Sequence, residues 1–182
     1  MYRVVLRRLG PGDAEEVARL ARLSLRLHAR WVYMPRTTAE CLDYLLRLAD
    51  EGSIALTVRR ADDDAIVGLI TVSGITRGVY ERAIVGYAGF APTVGLGYLT
   101  EGLALAVHYG FKSLGLHRLE ADIQPDNTAS LRLAERVGFR REGMSPGFIR
   151  IDGEWRDHER WAITVDTADA LAPCEPWQLP DT

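Results

Sequence analysis

The 182-residue chain holds only two cysteines, Cys41 and Cys174, and a single lysine, Lys112. Two cysteines without metal-ligand spacing exclude a disulfide framework and fit a reducing, cytoplasmic setting. No apolar run approaches the roughly 18 residues that span a bilayer. The first eight residues lack the apolar segment of a secretory signal, so no membrane association is expected. There is no internal repeat and no low-complexity linker. No pair of histidines has ligand spacing on a helix, so no metal is expected. The formal net charge is -3, which speaks against a nucleic-acid binder with a basic face. The near-exclusive use of arginine as the basic residue reads as composition bias, not as a phosphate-binding device.

What is present is an ordinary globular composition, 47% hydrophobic and 26% charged, in a chain long enough for one domain with a real core. The expected organisation is a single domain over residues 1–168 and a proline-containing tail over 169–182, of which 172–182 wrap the surface. Residues 2–8 read as a strand. Asp13 caps a helix whose apolar face carries Val17, Leu20, Ala21, Ser24, Leu25 and His28. Trp31, Tyr33, Met34 and Pro35 form an aromatic loop before a second amphipathic helix, which runs from Thr38 to near Gly52. Strands at 53–60, 66–75 and 82–90, joined by short turns, predict an antiparallel meander.

The pattern then changes. A glycine-containing loop at 92–97 precedes a helix over 98–112. A strand at 117–123, a helix over 127–137 and an extended stretch from Phe139 follow. Turns are expected at 143–146 and at Asp152-Gly153, and the last strand at 154–165. The predicted order is β-α-α-β-β-β-α-β-α-β-β. This is an α/β (α+β) domain with a mostly antiparallel sheet of about seven strands and about four flanking helices.

Two segments carry chemistry. Between residues 91 and 101 a strand passes into a helix through Gly95-Leu96-Gly97. Glycines admit positive φ and close backbone approach, and a helix start offers unpaired N–H groups, so the turn suits a diphosphate. An ordinary strand-to-helix turn is the alternative. A Rossmann fingerprint is excluded by the missing third glycine, and a Walker loop by the lack of G-K-[ST]. The second segment, Asn127-Thr128-Ala129-Ser130, starts a helix, where Asn127 could be a simple N-cap.

Taken in order, Gly95-Leu96-Gly97-Tyr98-Leu99-Thr100-Glu101, His117-Arg118-Leu119-Glu120-Ala121, Asn127-Thr128-Ala129-Ser130, Gly138-Phe139 and Asp152-Gly153-Glu154-Trp155-Arg156-Asp157-His158 resemble the GNAT superfamily of N-acetyltransferases. The likeness is to the RimJ/RimL-like branch that acetylates ribosomal proteins. The opening Leu6-Arg7 strand, Asp13 and the Trp31 loop fit as well, and the resemblance covers roughly residues 2–166. Pro92 departs from the Gln or Arg usual at the start of the phosphate loop. Ala134 stands where many relatives place a tyrosine.

The resemblance implies acetyl-CoA, or another acyl-CoA, as cosubstrate. Its pantetheine arm would lie in a V between two splayed strands, against the main chain of Gly89, Phe90 and Ala91. Its diphosphate would rest on N–H groups of Gly95, Leu96, Gly97, Tyr98, Leu99 and Thr100, with Asn127 and Ser130 near the thioester. Ser130 would act as the acid. The base stays open among Glu120, taken as the candidate, and Asp122, Glu81 and Glu101, each of which could equally be a solvated charge or a helix-start acid. Trp31, Tyr33 and Trp155 would wall the acceptor cleft. The expected acceptor is a protein or peptide N-terminus. The alternatives are a small amine, with acetyl- or succinyl-CoA as donor, and a non-catalytic acyl-CoA sensor. A homodimer is compatible with this reading.

Overall fold

The computed structural model describes residues 2–168, 171–175 and 178–180. Seven strands form one sheet in the order β1-β2-β3-β4-β5-β7-β6: β1 (Val4–Arg8), β2 (Ile54–Arg60), β3 (Ile66–Thr76), β4 (Arg82–Gly89), β5 (Arg118–Ile123), β6 (Arg140–Ile151) and β7 (Glu154–Thr164). Every neighbouring pair is antiparallel except β4 and β5. The β2–β3–β4 meander arises as the alternation predicts, and Asp152 and Gly153, both at positive φ, close the β6–β7 hairpin.

The helices are α1 (Ala14–Leu23), α2 (Leu25–His28), α3 (Thr38–Asp50), α4 (Tyr98–His108) and α5 (Thr128–Val137). Helices α1 and α3 bury Val17, Leu20, Ala21, Cys41 and Leu48 with Ala55, Leu69, Ala88 and Phe90 from one sheet face. Helices α4 and α5 bury Leu103, Leu105, Val107, Ala134 and Val137 with Leu56, Ile70, Val85, Leu119 and Ile163 from the other. None of the described helices is long and apolar enough to cross a membrane.

Three local expectations are corrected. The first helix does not run unbroken to His28. The buried Ser24 hydroxyl donates to Leu20 O at 2.7 Å and accepts Ala91 N–H at 2.9 Å. This competes with the helical ladder and splits α1 from α2. The helix from Tyr98 stays α-helical only to His108, and Tyr109–Ser113 is a π-helical turn. A Cβ at Gly110 would stand 2.8 Å from Leu119 Cδ1, so only glycine lets this turn sit so close to β5. The expected turn at 143–146 is instead part of β6, whose register against β7 shifts between Arg141 and Gly143 and between Ser145 and Ile149. Pro146 is tolerated because β6 is an edge strand.

Residues of the predicted tail do more than wrap. Gln178 is buried, and its amide donates to Tyr2 O at 3.2 Å and Val4 O at 3.1 Å, on the open edge of β1. Ala172 O accepts from Tyr2 Oη at 2.8 Å. Residues 169, 170, 176, 177, 181 and 182 of the predicted tail lie outside the described residues.

Candidate active site

The site begins where the one parallel strand pair comes apart. β4 and β5 are paired only at Arg82–Arg118, Ala83–Leu119 and Ile84–Glu120. Beyond that point Val85, Gly86 and Tyr87 of β4 and Ala121, Asp122 and Ile123 of β5 line a gap of about 150 Å³. Unpaired main chain on a splayed strand is a template for an extended ligand.

β4 leads into a 3-10 turn, Ala91–Thr93, and then into the glycine loop. Gly95 (φ 83°) and Gly97 (φ 86°) are both left-handed, and Gly97 is the N-cap of α4. The N–H groups of Gly97, Tyr98, Leu99 and Thr100 find no partner among the described residues, as expected of a first helical turn. Arg3 holds this loop from the β1 side. Its Nη2 donates to Leu96 O at 3.0 Å, its Nε to Glu101 Oε1 at 2.7 Å, and its guanidinium lies 4.6 Å from the Tyr98 ring centre. These contacts are partly exposed, so Arg3→Met should raise the KM for acetyl-CoA by roughly two- to fivefold while kcat holds. Steady-state kinetics at saturating acceptor check this, and an unchanged KM would show that the clamp does not shape the loop.

A cavity of about 380 Å³ runs from this loop to α5, lined by Gly89, Val94, Gly95, Gly97 and Leu99 and by Asn127, Ser130, Arg132 and Arg136. Its donor set fits an elongated nucleotide diphosphate: free main-chain N–H groups at a helix start, and two guanidinium groups four residues apart on α5. Asn127 is the N-cap of α5, its Oδ1 accepting Ser130 N–H at 3.2 Å. Ser130 O accepts from Tyr87 Oη at 3.0 Å, which ties α5 to β4 across the V. The Ser130 side chain also interacts with the Tyr87 hydroxyl, which partly offsets the upward push of burial on the Tyr87 pKa. Ser130 lines both this cavity and the gap between the strands.

On the other side of the gap lies a second cavity of about 390 Å³, with His28, Trp31, Tyr33, Arg36, Asp122, Arg150 and His158 on its wall. Trp31, Ile151 and Asp152 line both it and an open groove of about 550 Å³ that also passes Asp126, Trp155 and Asp157. Burial, partly offset by Arg160, raises the Asp122 carboxyl above the usual aspartate range. Arg160 Nε stands 2.5 Å from Asp122 Oδ1, an ion pair without hydrogen-bond alignment. Burial, partly offset by a bond to Gly89 O, lowers the pKa of His28.

Most of the predicted residues meet here. Gly89, Gly95, Gly97, Leu99, Asn127 and Ser130 share the first cavity, Trp31 and Tyr33 the second, and Trp31 and Trp155 the groove. Leu96, Tyr98 and Thr100 flank the loop, with Leu96 O taken by Arg3.

Phe90 and Ala91 do not offer main chain to a ligand. Phe90 N–H donates to Val67 O, Phe90 O accepts from Thr93, and Ala91 N–H is held by Ser24. The Phe90 ring is fully buried.

Glu120 is likewise not brought to the cleft. It sits at the paired end of β4–β5, 5% exposed, with Arg118, Arg82 and Arg160 around it at 2.8, 3.0 and 3.2 Å. Burial would raise its pKa, but the hydrogen bonds from Arg118 and Arg82 outweigh that and hold the carboxyl below the usual glutamate range. A carboxylate so engaged has little proton affinity left, and Asp122, two residues on, faces the cleft instead. Sequence reasoning missed Arg132 and Arg136. Their i, i+4 spacing on the helix after the Asn-Thr-Ala-Ser segment was the available signal.

Residues 3–140 match the family described as "Acetyltransferase (GNAT) domain". The chain is 36% identical over 121 residues to the probable N-acetyltransferase YjcK of Bacillus subtilis, covering 66% of this chain and 67% of that one. It is 34% identical over 104 residues to the [ribosomal protein uS5]-alanine N-acetyltransferase of Escherichia coli, covering 57% of this chain but only about half, 54%, of that protein. Among solved structures, Mycobacterium smegmatis RimJ in complex with CoA-disulfide superposes with a TM-score of 0.85 at 27% identity, covering 92% of this chain and 85% of that one.

Proposed function

Because the chain belongs to the GNAT acetyltransferase family and is an N-acetyltransferase that uses acetyl-CoA, we propose that its acceptor is the α-amine of a protein or peptide. The observation that carries this is the shape of the acceptor side. The cavity next to the strand gap is not closed, and Trp31 and Asp152 are shared between its wall and that of the groove past Trp155. A chain following the reacting amine has somewhere to go. A small amine would call for a closed pocket, and the open side favours the peptide. The similarity to the uS5-alanine enzyme supports the same reading.

The roles of the side chains follow from their places. Main-chain N–H groups at the start of α4, with Arg132 and Arg136, hold the phosphates of coenzyme A. The free edge of β4 from Val85 to Ala88 pairs with the pantetheine amides and polarises the thioester carbonyl. The neutral amine attacks that carbonyl, a C–N bond forms and the C–S bond breaks. Ser130, on the border of the cofactor cavity and the gap, gives its hydroxyl proton to the departing sulfur and is reprotonated from water. Overall an ammonium and an acetyl thioester become an amide, a free thiol and one released proton.

Ser130→Ala should therefore lower kcat by about ten- to a hundredfold, at and below the bottom of the roughly 10²–10⁴-fold range for acid catalysis because a thiolate leaves readily. Affinity for coenzyme A should stay within about twofold, the side chain making no phosphate contact in this reading. Release of free thiol, followed with an alanine-led hexapeptide and with a diamine as acceptors, tests both points. Faster turnover of the diamine than of every peptide would overturn the proposed acceptor.

A further inference from the structure

His28 carries an arrangement that ordinary packing leaves unexplained. The residue is 6% exposed, and its Nε2 lies 2.8 Å from Gly89 O. A carbonyl oxygen only accepts, so Nε2 bears the proton and Nδ1 is left with a lone pair. Burial, against the smaller effect of the Gly89 bond, keeps the ring neutral. Nδ1 is buried and has no hydrogen-bond partner among the described residues. Only three other buried side-chain polar atoms share that condition among the described residues: Arg82 Nε, Arg160 Nε and Asp122 Oδ1. The first two are donors beside Glu120 and Asp122. Asp122 Oδ1 still faces Arg160 Nε at 2.5 Å as an ion pair, whereas no donor stands against His28 Nδ1 among the described residues, and both residues line the same cavity.

His28 also lines the cofactor cavity, so it stands at the boundary between the two. A group reacting with the thioester must cross that boundary. A buried acceptor without a donor is costly to leave so, and native proteins rarely do. The missing partner has to supply N–H or O–H groups and to tolerate a carboxylate, which describes an ammonium or amine. We infer that the acceptor's amino group is seated by His28 Nδ1 and the Asp122 carboxylate. The charged groups around it on the same wall are Arg36, Arg150, Asp152 and His158, with Arg160 against Asp122. The carboxylate attracts the cationic form, and the imidazole orients one N–H of the amine. This rests on the acyl-transfer reading above and assigns the atoms that hold its second substrate.

The test uses the full chain saturated with coenzyme A. Binding of an alanine-led hexapeptide, its Nα-acetylated twin and propane-1,3-diamine is measured by calorimetry. The free-amine probes should bind and the acetylated twin should not, and the two free-amine probes separate a peptide terminus from a small amine as the source of the ammonium. His28→Gln keeps a donor for Gly89 O and deletes the Nδ1 acceptor. Asp122→Asn keeps the shape and deletes the charge. Each should weaken the free-amine probe at least tenfold, while thermal melts that match the wild type report an intact fold. If both variants bind the probes as the wild type does, or if the acetylated twin binds equally well, the seat is wrong. If the wild type binds the free amines but never acetylates them, the acyl-transfer reading falls and the seat stands. If it acetylates them and the variants match it, the reading stands and the seat falls.

Discussion

Gly97→Val should raise the dissociation constant of coenzyme A by on the order of a hundredfold or more, an effect built from two parts. Gly97 holds φ 86° as the N-cap of α4. A β-branched residue there costs roughly 1–2 kcal/mol, which the chain escapes by turning the loop. A Cβ would also stand 3.2 Å from Arg3 Nη2, so the guanidinium that holds Leu96 O must give way. Either response re-aims the free N–H groups of Gly97 to Thr100, and a hundredfold is about 2.7 kcal/mol. At Gly95, whose Cβ would meet nothing within 4 Å, asparagine should be tolerated far better, since it enters the left-handed region more readily than other residues. Calorimetric titration with coenzyme A, alongside thermal melts to show that the fold survives, checks the pair. Wild-type affinity in Gly97→Val would remove the phosphate site from this loop.

The second large effect is one of stability and not of rate. Glu120→Gln should cost about 2–3 kcal/mol, because it strips the negative partner from Arg82, Arg118 and Arg160 at a position 5% exposed. The low end applies, since those side chains keep 37%, 25% and 29% of their surface in water and glutamine still accepts one hydrogen bond. The folded pKa of Glu120 is lowered, so its contribution is fully present above the unfolded glutamate value of 4.5 and fades as the pH falls through the folded one. Urea unfolding at pH 7 should separate wild type from variant, and the gap should close on acidification. With the protein kept folded, kcat should remain within about threefold, as expected of a group outside the reacting centre. A loss of several hundredfold in kcat with unchanged stability would restore Glu120 as the base.

Much of this was legible in the residues. The meander follows from period-2 alternation broken by turn formers. The cofactor side follows from glycines at a strand-to-helix passage and from a capping asparagine one strand later. What was hidden depends on contacts distant in sequence. Glu120 and Asp122 sit on one face of one strand, and only the point where β4 peels away decides which carboxylate meets arginines and which meets the cleft. Arg3 and Glu101 are 98 positions apart, so nothing local marks Arg3 as the loop's clamp. Ser24 looked like one more residue on an apolar face, yet its bond to Ala91 breaks the helix and places His28. Gly143 and Pro146 carry turn chemistry, but on an edge strand the same residues make bulges.

The contacts of Gln178 with the carbonyls of Tyr2 and Val4 bridge 176 and 174 positions. Synthesis adds on the order of 5–20 residues per second, so the glutamine emerges roughly 10–35 s after the rim that it covers. Over that interval the nascent sheet offers a bare border to neighbouring chains, as unprotected rims do in strand-to-strand aggregation. The Gln178 contact acts as a late latch, and polysome crowding is where its loss would first be felt.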